Sequence, residues 1–260
     1  STVTTSGIER IAQLTEGRFW FQLYYPADVK HRNDILKRAE FAGCETLVLL
    51  CDVPTFGFRP KDIRNGLSMP PRMTVKNIAQ VLTHPTWAMQ TLKHGQPNFQ
   101  TLKPYMDKNL TLKGLGGFMD QMFSGRLDDD KIAQIRDKWK GKIVLKGVAS
   151  EADTEKAISL GLDGIIVSNH GGRQLDAGES TIKPLARIAP KYGHQIKVMM
   201  DSGMRSGPDI ARCIASGAEF TFMGRSFMYG VSALGQSGGE HTIGLLKTQL
   251  QQVMDQICCE

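Results

Sequence analysis

IVLKGVASEADTEKAISLGLDGIIVSNH, residues 143–170, reads as one complete strand–helix–strand unit. The apolar runs Ile143–Val148 and Gly164–Asn169 are short, rich in branched residues and bounded by glycine or polar groups, the pattern of buried strands. Between them Ser150 opens a segment with helical spacing that reaches Leu160, and Gly161 ends it. Strand, helix and strand in so short a span predict a parallel βαβ crossover.

The same rhythm extends in both directions. Further strand-like runs are expected at Phe19–Tyr24, Thr46–Asp52, Lys197–Ser202 and Phe220–Gly224, with helical segments at Ala27–Ala42, Asp128–Trp139, Ile182–Tyr192, Pro208–Ser216 and Thr242–Ile257. Repeated βα units imply a parallel sheet that is either closed as a barrel or open and doubly wound. No GxGxxG follows the first strand, and polar or charged residues gather at the C-terminal ends of several different strands. The expected fold is therefore α/β, a (β/α)8 TIM barrel, as a single domain over residues 1–260.

The stretch from about residue 70 to 125 breaks this rhythm: it is long, rich in Pro, Gly, Met, His and Lys, and weakly periodic. An insertion of that length is expected to be a lid, a binding loop or a disordered segment.

Composition narrows the function classes. With 41% hydrophobic and 22% charged residues the chain can bury a sizeable core. No apolar run is long enough to span a bilayer, and the opening STVTTSGIERIAQL lacks the layout of an export signal, so a cytoplasmic chain is expected. Five cysteines without metal-ligand spacing fit free thiols and no metal site. The net charge of +6 is spread along the chain, which favours an anionic small molecule over nucleic acid.

GIIVSNHGGRQLD, residues 164–176, places Ser168, His170, Arg173 and Asp176 directly after a buried strand. Over a barrel mouth an imidazole can serve as a general base and a guanidinium can grip a carboxylate. A lone histidine or arginine is more often structural, but other strand ends add Gln22, Tyr24, Asp52, Lys146, Asp201 and Arg205. MMDSGMRSGPDI and FTFMGRSF each combine a glycine with an arginine, Gly203 with Arg205 and Gly224 with Arg225, as a phosphate site after two late strands requires. Lys146 reads either as a lysine paired inside the barrel or as a cation beneath a redox cofactor.

SNHGGRQLD, with FQLY, CDVP followed by Gly57 and Arg59, VLKGV, DSGMRSG and MGR in that order, resembles the FMN-dependent L-2-hydroxy acid oxidases and dehydrogenases, a family that includes glycolate oxidase, L-lactate dehydrogenase and mandelate dehydrogenase. The resemblance implies FMN as cofactor and an L-2-hydroxy acid as substrate. It makes His170 the catalytic base and Asp52 its partner, with Arg173 and Arg59 on the substrate carboxylate and Tyr24 on its hydroxyl. It sets Lys146 at the flavin N1 and O2 edge, and Ser1, Gln22 and Ser168 on the ring system or ribityl chain. Asp201 would bind the ribityl hydroxyls, and Gly203, Arg205, Gly224 and Arg225 the phosphate.

The inserted stretch, with HPTWAMQTLKHGQPNF at residues 84–99, is similar to that of the membrane-associated lactate and mandelate dehydrogenase branch. That likeness implies a homotetramer, peripheral contact with the cytoplasmic face of the inner membrane, and quinone or oxygen as electron acceptor. Trp87, Met89, Leu92 and Phe99 among lysines such as Lys93, Lys103 and Lys108 suit a headgroup layer, while a solvated lid is the competing reading. Phe56 and Phe58 hint at an apolar substrate substituent.

Two departures stand out. Leu50 stands where the resemblance implies a threonine near the flavin, and Ser1 falls where the family's second barrel strand has ended, so the resemblance leads one to expect a barrel without its first two strands in this chain. The competing functions are a phosphate-binding lyase or isomerase with Lys146 as a Schiff-base amine, and a truncated, non-catalytic relative.

Overall fold

The structure is a computed structural model that describes residues 1–55, 59–66, 74–95, 98–107, 110, 112–123 and 125–259. Phe56, Gly57, Phe58 and Lys108 lie outside the described residues. The chain forms two compact units, one of Ser1–Leu50, Pro54–Asp128 and Asp137–Gly141, the other of Cys51–Val53, Asp129–Arg136 and Lys142–Glu260.

The first unit runs α1 (Ile8–Thr15), β1 (Trp20–Leu23), α2 (Val29–Phe41), β2 (Thr46–Leu50), α3 (Pro60–Arg64), α4 (Val75–Leu82), α5 (Pro85–His94), a 3-10 turn (Lys103–Tyr105) and α6 (Leu112–Met122). β1 and β2 are parallel, with Trp20 opposite Thr46 and Leu23 opposite Leu49. Every residue of β2 is buried, as expected of a parallel strand covered on both faces. Asp28 caps α2 by accepting from the amides of Lys30 (2.6 Å) and His31 (3.1 Å), worth about 1 kcal/mol. Ile35, Leu36 and Ala39 then form its buried face.

α1 was not expected from the sequence, its apolar spacing of Ile8, Ile11 and Ala12 running over only eight residues, of which Ile8 alone is buried. It is tied down by charge: Arg38 on α2 bonds Glu9 (2.8 Å), the Thr101 carbonyl (2.9 Å) and the Tyr105 hydroxyl (3.1 Å). That guanidinium holds the Glu9 carboxyl below the usual range.

The described part of the 70–125 stretch is largely helical, where the sequence reads as a loop. Thr74 caps α4 through the Asn77 amide (3.2 Å), Pro85 opens α5, and Gly95 ends it at φ 75°. Neither helix buries a residue, and the apolar stripe of α4, Val75, Ile78, Ala79 and Leu82, is exposed. α6 buries Met119 and Met122, and Pro26 bridges Phe123 beyond its end.

The second unit takes up α7 (Asp129–Lys138) and continues β3 (Lys142–Val148), α8 (Glu151–Ser159), β4 (Gly164–Val167), a short turn of 3-10 helix (His170–Gly172), α9 (Ile182–Tyr192), β5 (Lys197–Met200), α10 (Gly207–Ala215), β6 (Phe220–Thr221), α11 (Arg225–Leu234), a 3-10 turn (Gly235–Ser237) and α12 (Gly238–Gln256). β3, β4, β5 and β6 pair in that order, all parallel, the α/β arrangement expected from the βαβ rhythm. The core is Ile143, Val144, Leu145, Ile165, Ile166, Val167, Val198, Met199 and Met200, backed by Leu185 and Ile188 of α9. α11 was not foreseen, and none of its residues is buried.

Parallel strands in one layer point their C-terminal ends the same way. The residues after β3, β4, β5 and β6 therefore emerge along one rim of this unit, together with Cys51–Val53, whose Cys51 amide donates to the Lys146 carbonyl (2.9 Å).

Candidate active site

The rim of the second unit gathers the charged residues that the sequence singles out. Nδ1 of His170 lies 3.1 Å from Oδ2 of Asp52. Nζ of Lys146 lies 2.9 Å from Oδ2 of Asp201 and 3.8 Å from Oδ2 of Asp52, and donates to Oγ of Ser168 at 2.8 Å. These side chains are mostly shielded: 11% exposed for Lys146 and Asp52, 17% for Asp201 and 19% for His170. At such burial their mutual attraction is weakly screened, and it offsets the cost of removing four ionisable groups from water.

The partner at Nδ1 determines the histidine's chemistry. A carboxylate there selects the tautomer with its proton on Nδ1, which leaves the lone pair on Nε2. Oδ1 of Asp52 is buried and has no hydrogen-bond partner among the described residues, so the carboxylate keeps spare accepting capacity.

Glycine makes the approach possible. Gly147 follows Lys146 at a break in the β3–β4 register and has φ 105°. A Cβ there would stand 2.6 Å from Cβ of Asp52, closer than real contacts allow. The Cys51 thiol beside it donates to the Lys146 carbonyl (3.2 Å), and burial, aided by the Asp52 charge, pushes it up to about 12. It is an inert packing group.

His170 sits in a turn of three successive left-handed residues, His170 (φ 55°), Gly171 (φ 67°) and Gly172 (φ 72°). Only glycine makes such a turn inexpensive, which explains the HGG sequence. A Cβ on Gly171 would also collide with the guanidinium of Arg225, whose Nη2 donates to the Gly171 carbonyl (2.7 Å). Arg173 ends this turn, its amide 3.3 Å from the His170 carbonyl.

The loops after β5 and β6 each carry a glycine with an arginine. Gly203 (φ 84°) and Gly224 would each meet nothing within 4 Å if given a Cβ, so both backbones face open space. Gly224 precedes α11 with no side-chain cap, which leaves first-turn amides to a ligand. Arg225 begins that helix, and the guanidinium carbon of Arg205 lies 5.5 Å above the Tyr229 ring. Asp209 accepts from the amides of Arg205 (3.0 Å) and Ser206 (3.1 Å), which fixes the loop and holds the Asp209 carboxyl below its usual range. Open glycine backbone, two guanidiniums and the Lys146 ammonium form a donor set that fits the phosphate and ring edge of a flavin mononucleotide.

The remaining expected residues belong to the first unit. Ser1 is an exposed residue. Gln22 lies on β1, and its carbonyl accepts from the Thr2 amide (2.9 Å). The Tyr24 ring rests 5.4 Å from that of Phe123. Arg59 lies 3.8 Å from Asp62 at the start of α3, and Leu50 is a buried residue at the end of β2. Two residues were missed by sequence reasoning: Gly147, for which a glycine inside a strand was the signal, and Ser202, discussed below.

A shielded histidine–aspartate–lysine cluster at the rim of a parallel α/β sheet, with glycine and arginine loops after its last two strands, is the arrangement of a cofactor-dependent enzyme. Residues 1–260 match the FMN-dependent dehydrogenase family, and the chain belongs to it. It is 38% identical over 255 residues to an L-lactate dehydrogenase of Alcaligenes faecalis, covering 98% of this chain and 67% of the relative, and 36% identical over 269 residues to one of Bartonella tribocorum, covering 100% and 70%. Its structure matches that of an (S)-mandelate dehydrogenase described as a monotopic membrane protein, with TM-score 0.90 and 32% identity over 98% of this chain and 67% of the other. A mandelate oxidase with benzoyl-formic acid matches with TM-score 0.75 and 30% identity, covering 99% and 64%. The chain thus spans about two thirds of the length of these relatives.

The fold is accordingly of the α/β barrel class expected from the sequence, the cofactor is FMN, and the chemistry is FMN-dependent oxidation of a 2-hydroxy acid. The lyase or isomerase alternative falls with this membership. The surroundings of Lys146 agree, since two carboxylates and a hydroxyl occupy its ammonium instead of presenting it as a nucleophile.

Proposed function

We propose that the chain oxidises an L-2-hydroxy acid of the lactate or mandelate type to its 2-keto acid, with His170 as the general base. The His170–Asp52 pair carries this reading: Asp52 fixes the ring so that Nε2 receives a substrate proton, and its charge stabilises the imidazolium that results. FMN, when bound, accepts the two electrons that leave the substrate.

Arg173 grips the substrate carboxylate through bidentate hydrogen bonds. Lys146 offers positive charge to the N1 and O2 edge of the flavin, with Ser168 against the ring or ribityl chain and Asp201 on the ribityl hydroxyls. Gly203, Arg205, Gly224 and Arg225 hold the phosphate; the open backbone at both glycines supports this.

Electrons pass onward to quinone or oxygen, the assembly is a homotetramer, and the 70–125 stretch touches the cytoplasmic face of a membrane. The last reading is supported by the exposed apolar residues of α4 and α5, namely Val75, Leu82, Trp87, Met89 and Leu92, and by the monotopic neighbour. No helix among the described residues is long and apolar enough to cross a membrane.

The test is the visible spectrum of the purified protein, mixed without oxygen with L-lactate, (S)-mandelate or glycolate. Bleaching of the flavin band supports the reading, and the substrate that bleaches fastest defines the side-chain preference. A flavin band that survives all three overturns it.

A further inference from the structure

We infer that Ser202 is a positioning residue for the catalytic turn, acting through its hydroxyl on the backbone at either side of His170. The inference rests on the reading of His170 as the base.

Ser202 directly follows Asp201 and has φ 79°, in the left-handed region. Serine adopts that region at a cost, and glycine would occupy the same position without it. The strain is held in place from both ends: the Asp201 amide donates to the Val167 carbonyl (3.0 Å), and the buried Thr181 hydroxyl donates to the Ser202 carbonyl (3.4 Å). A side chain kept where glycine fits better calls for a reason.

The reason lies in what its oxygen does. Oγ of Ser202 accepts from the amide of Asn169 (3.3 Å) and from the amide of Gly171 (3.0 Å), the residues immediately before and after His170. The amide of His170 itself donates to Oγ of Ser168 (3.1 Å). Three consecutive amides of the catalytic turn thus end on two serine hydroxyls. At the entry to a left-handed turn these half-buried amides have no helical or sheet partner, and donors shielded from water need one.

Both serines are anchored in turn by charge. The Ser202 hydroxyl donates to Oδ1 of Asp201 (2.7 Å), Asp201 pairs with Lys146 (2.9 Å), and Lys146 donates to Ser168 (2.8 Å). With its proton committed to Asp201, the Ser202 oxygen can only accept, which is the role the two amides require. The turn that carries His170 is therefore pinned to the same lysine–aspartate centre whose other carboxylate, Asp52, orients the imidazole.

Two variants separate the hydroxyl from the backbone. Ser202→Ala keeps the strained conformation and loses the hydroxyl, whereas Ser202→Gly loses both strain and hydroxyl. Both should show kcat lowered by about tenfold, because small misplacements of a catalytic group are costly, with a smaller change in KM. Their thermal midpoints should diverge, Gly above Ala by about 2–4 °C. In both, hydrogen exchange at the amides of Asn169 and Gly171 should accelerate, while the Phe222 amide, bonded to Met200 in the β5–β6 ladder, exchanges as in the parent.

Unchanged exchange at Asn169 and Gly171 overturns the role of Ser202 and leaves His170 untouched. Accelerated exchange with parental kcat likewise overturns the role of Ser202, since the turn would then be loosened without consequence for the reaction, and it leaves His170 untouched. A kcat that follows the thermal midpoint, with the glycine variant at the parental value, marks Ser202 as a structural residue and also overturns the inference.

Discussion

His170 and Asp52 are separated by 118 residues of chain and meet at 3.1 Å, Nδ1 against Oδ2. This contact exists because Asp52 leaves a fully buried strand one residue after Cys51 joins β3, and because Gly147 has no side chain to keep the carboxylate away. Two close approaches, one by a glycine and one by a strained turn, set the geometry of the proposed base.

Asp52→Asn tests the tautomer argument. An amide nitrogen facing Nδ1 favours the proton on Nε2 and so removes the lone pair from the reacting side. The rate of anaerobic flavin bleaching by substrate should fall roughly 10²-fold, the low end of what acid–base catalysis contributes. A variant that bleaches at the parental rate removes Asp52 from the account.

Gly147→Ala tests the packing that brings Asp52 in. The added Cβ meets Asp52 at 2.6 Å, and φ 105° is unfavourable for alanine. Overpacking and backbone strain together should cost about 2–4 kcal/mol, read from chemical denaturation. A loss below about 0.5 kcal/mol contradicts the close approach.

Arg205→Ala should weaken FMN binding. Loss of one charge-assisted hydrogen bond to a phosphate is worth about 1.5–3 kcal/mol, so Kd rises at least about tenfold in a fluorescence titration. Parental affinity excludes Arg205 from the phosphate site.

Asp209 links stability to pH. Its folded pKa is lowered, chiefly by the hydrogen bond from the Arg205 amide, from an ordinary value of 3.8. A depressed carboxyl contributes stability that is complete above pH 3.8 and fades as pH falls through the lower folded value. The stability gap between the parent and Asp209→Asn, about 1 kcal/mol by analogy with other helix caps, should therefore hold at neutral pH and close in acid. A gap that persists unchanged at pH 2, well below the ordinary value, contradicts this, about two units being ample for the linkage to fade.

Much of this was legible in the chain itself. The strands β1, β2, β4, β5 and β6 fall inside the runs expected for them, and β3 begins one residue before its run, at Lys142, because buried parallel strands are continuous apolar segments with glycine or polar ends. The residues at their C-terminal ends, Lys146, Ser168, His170 and Asp201, were identified for the same reason, and the fold brings them together with Asp52. α1, α4, α5 and α11 were missed for want of length: each has only eight to ten residues, so that even the apolar spacing of Ile8, Ile11 and Ala12 in α1 and of Val75, Ile78, Ala79 and Leu82 in α4 covers about two turns. Ser202 was invisible for another reason: its importance lies in a positive φ and two backbone donors from a distant loop, neither of which a sequence displays.

The most direct measurement compares the parent and His170→Gln, both purified with FMN, after rapid anaerobic mixing with the better of L-lactate and (S)-mandelate. The account predicts that both proteins carry the flavin band, that the parent's band bleaches, and that the variant's bleaches at least about 10²-fold more slowly. Bleaching of the variant at the parental rate would contradict the assignment of His170 as the base.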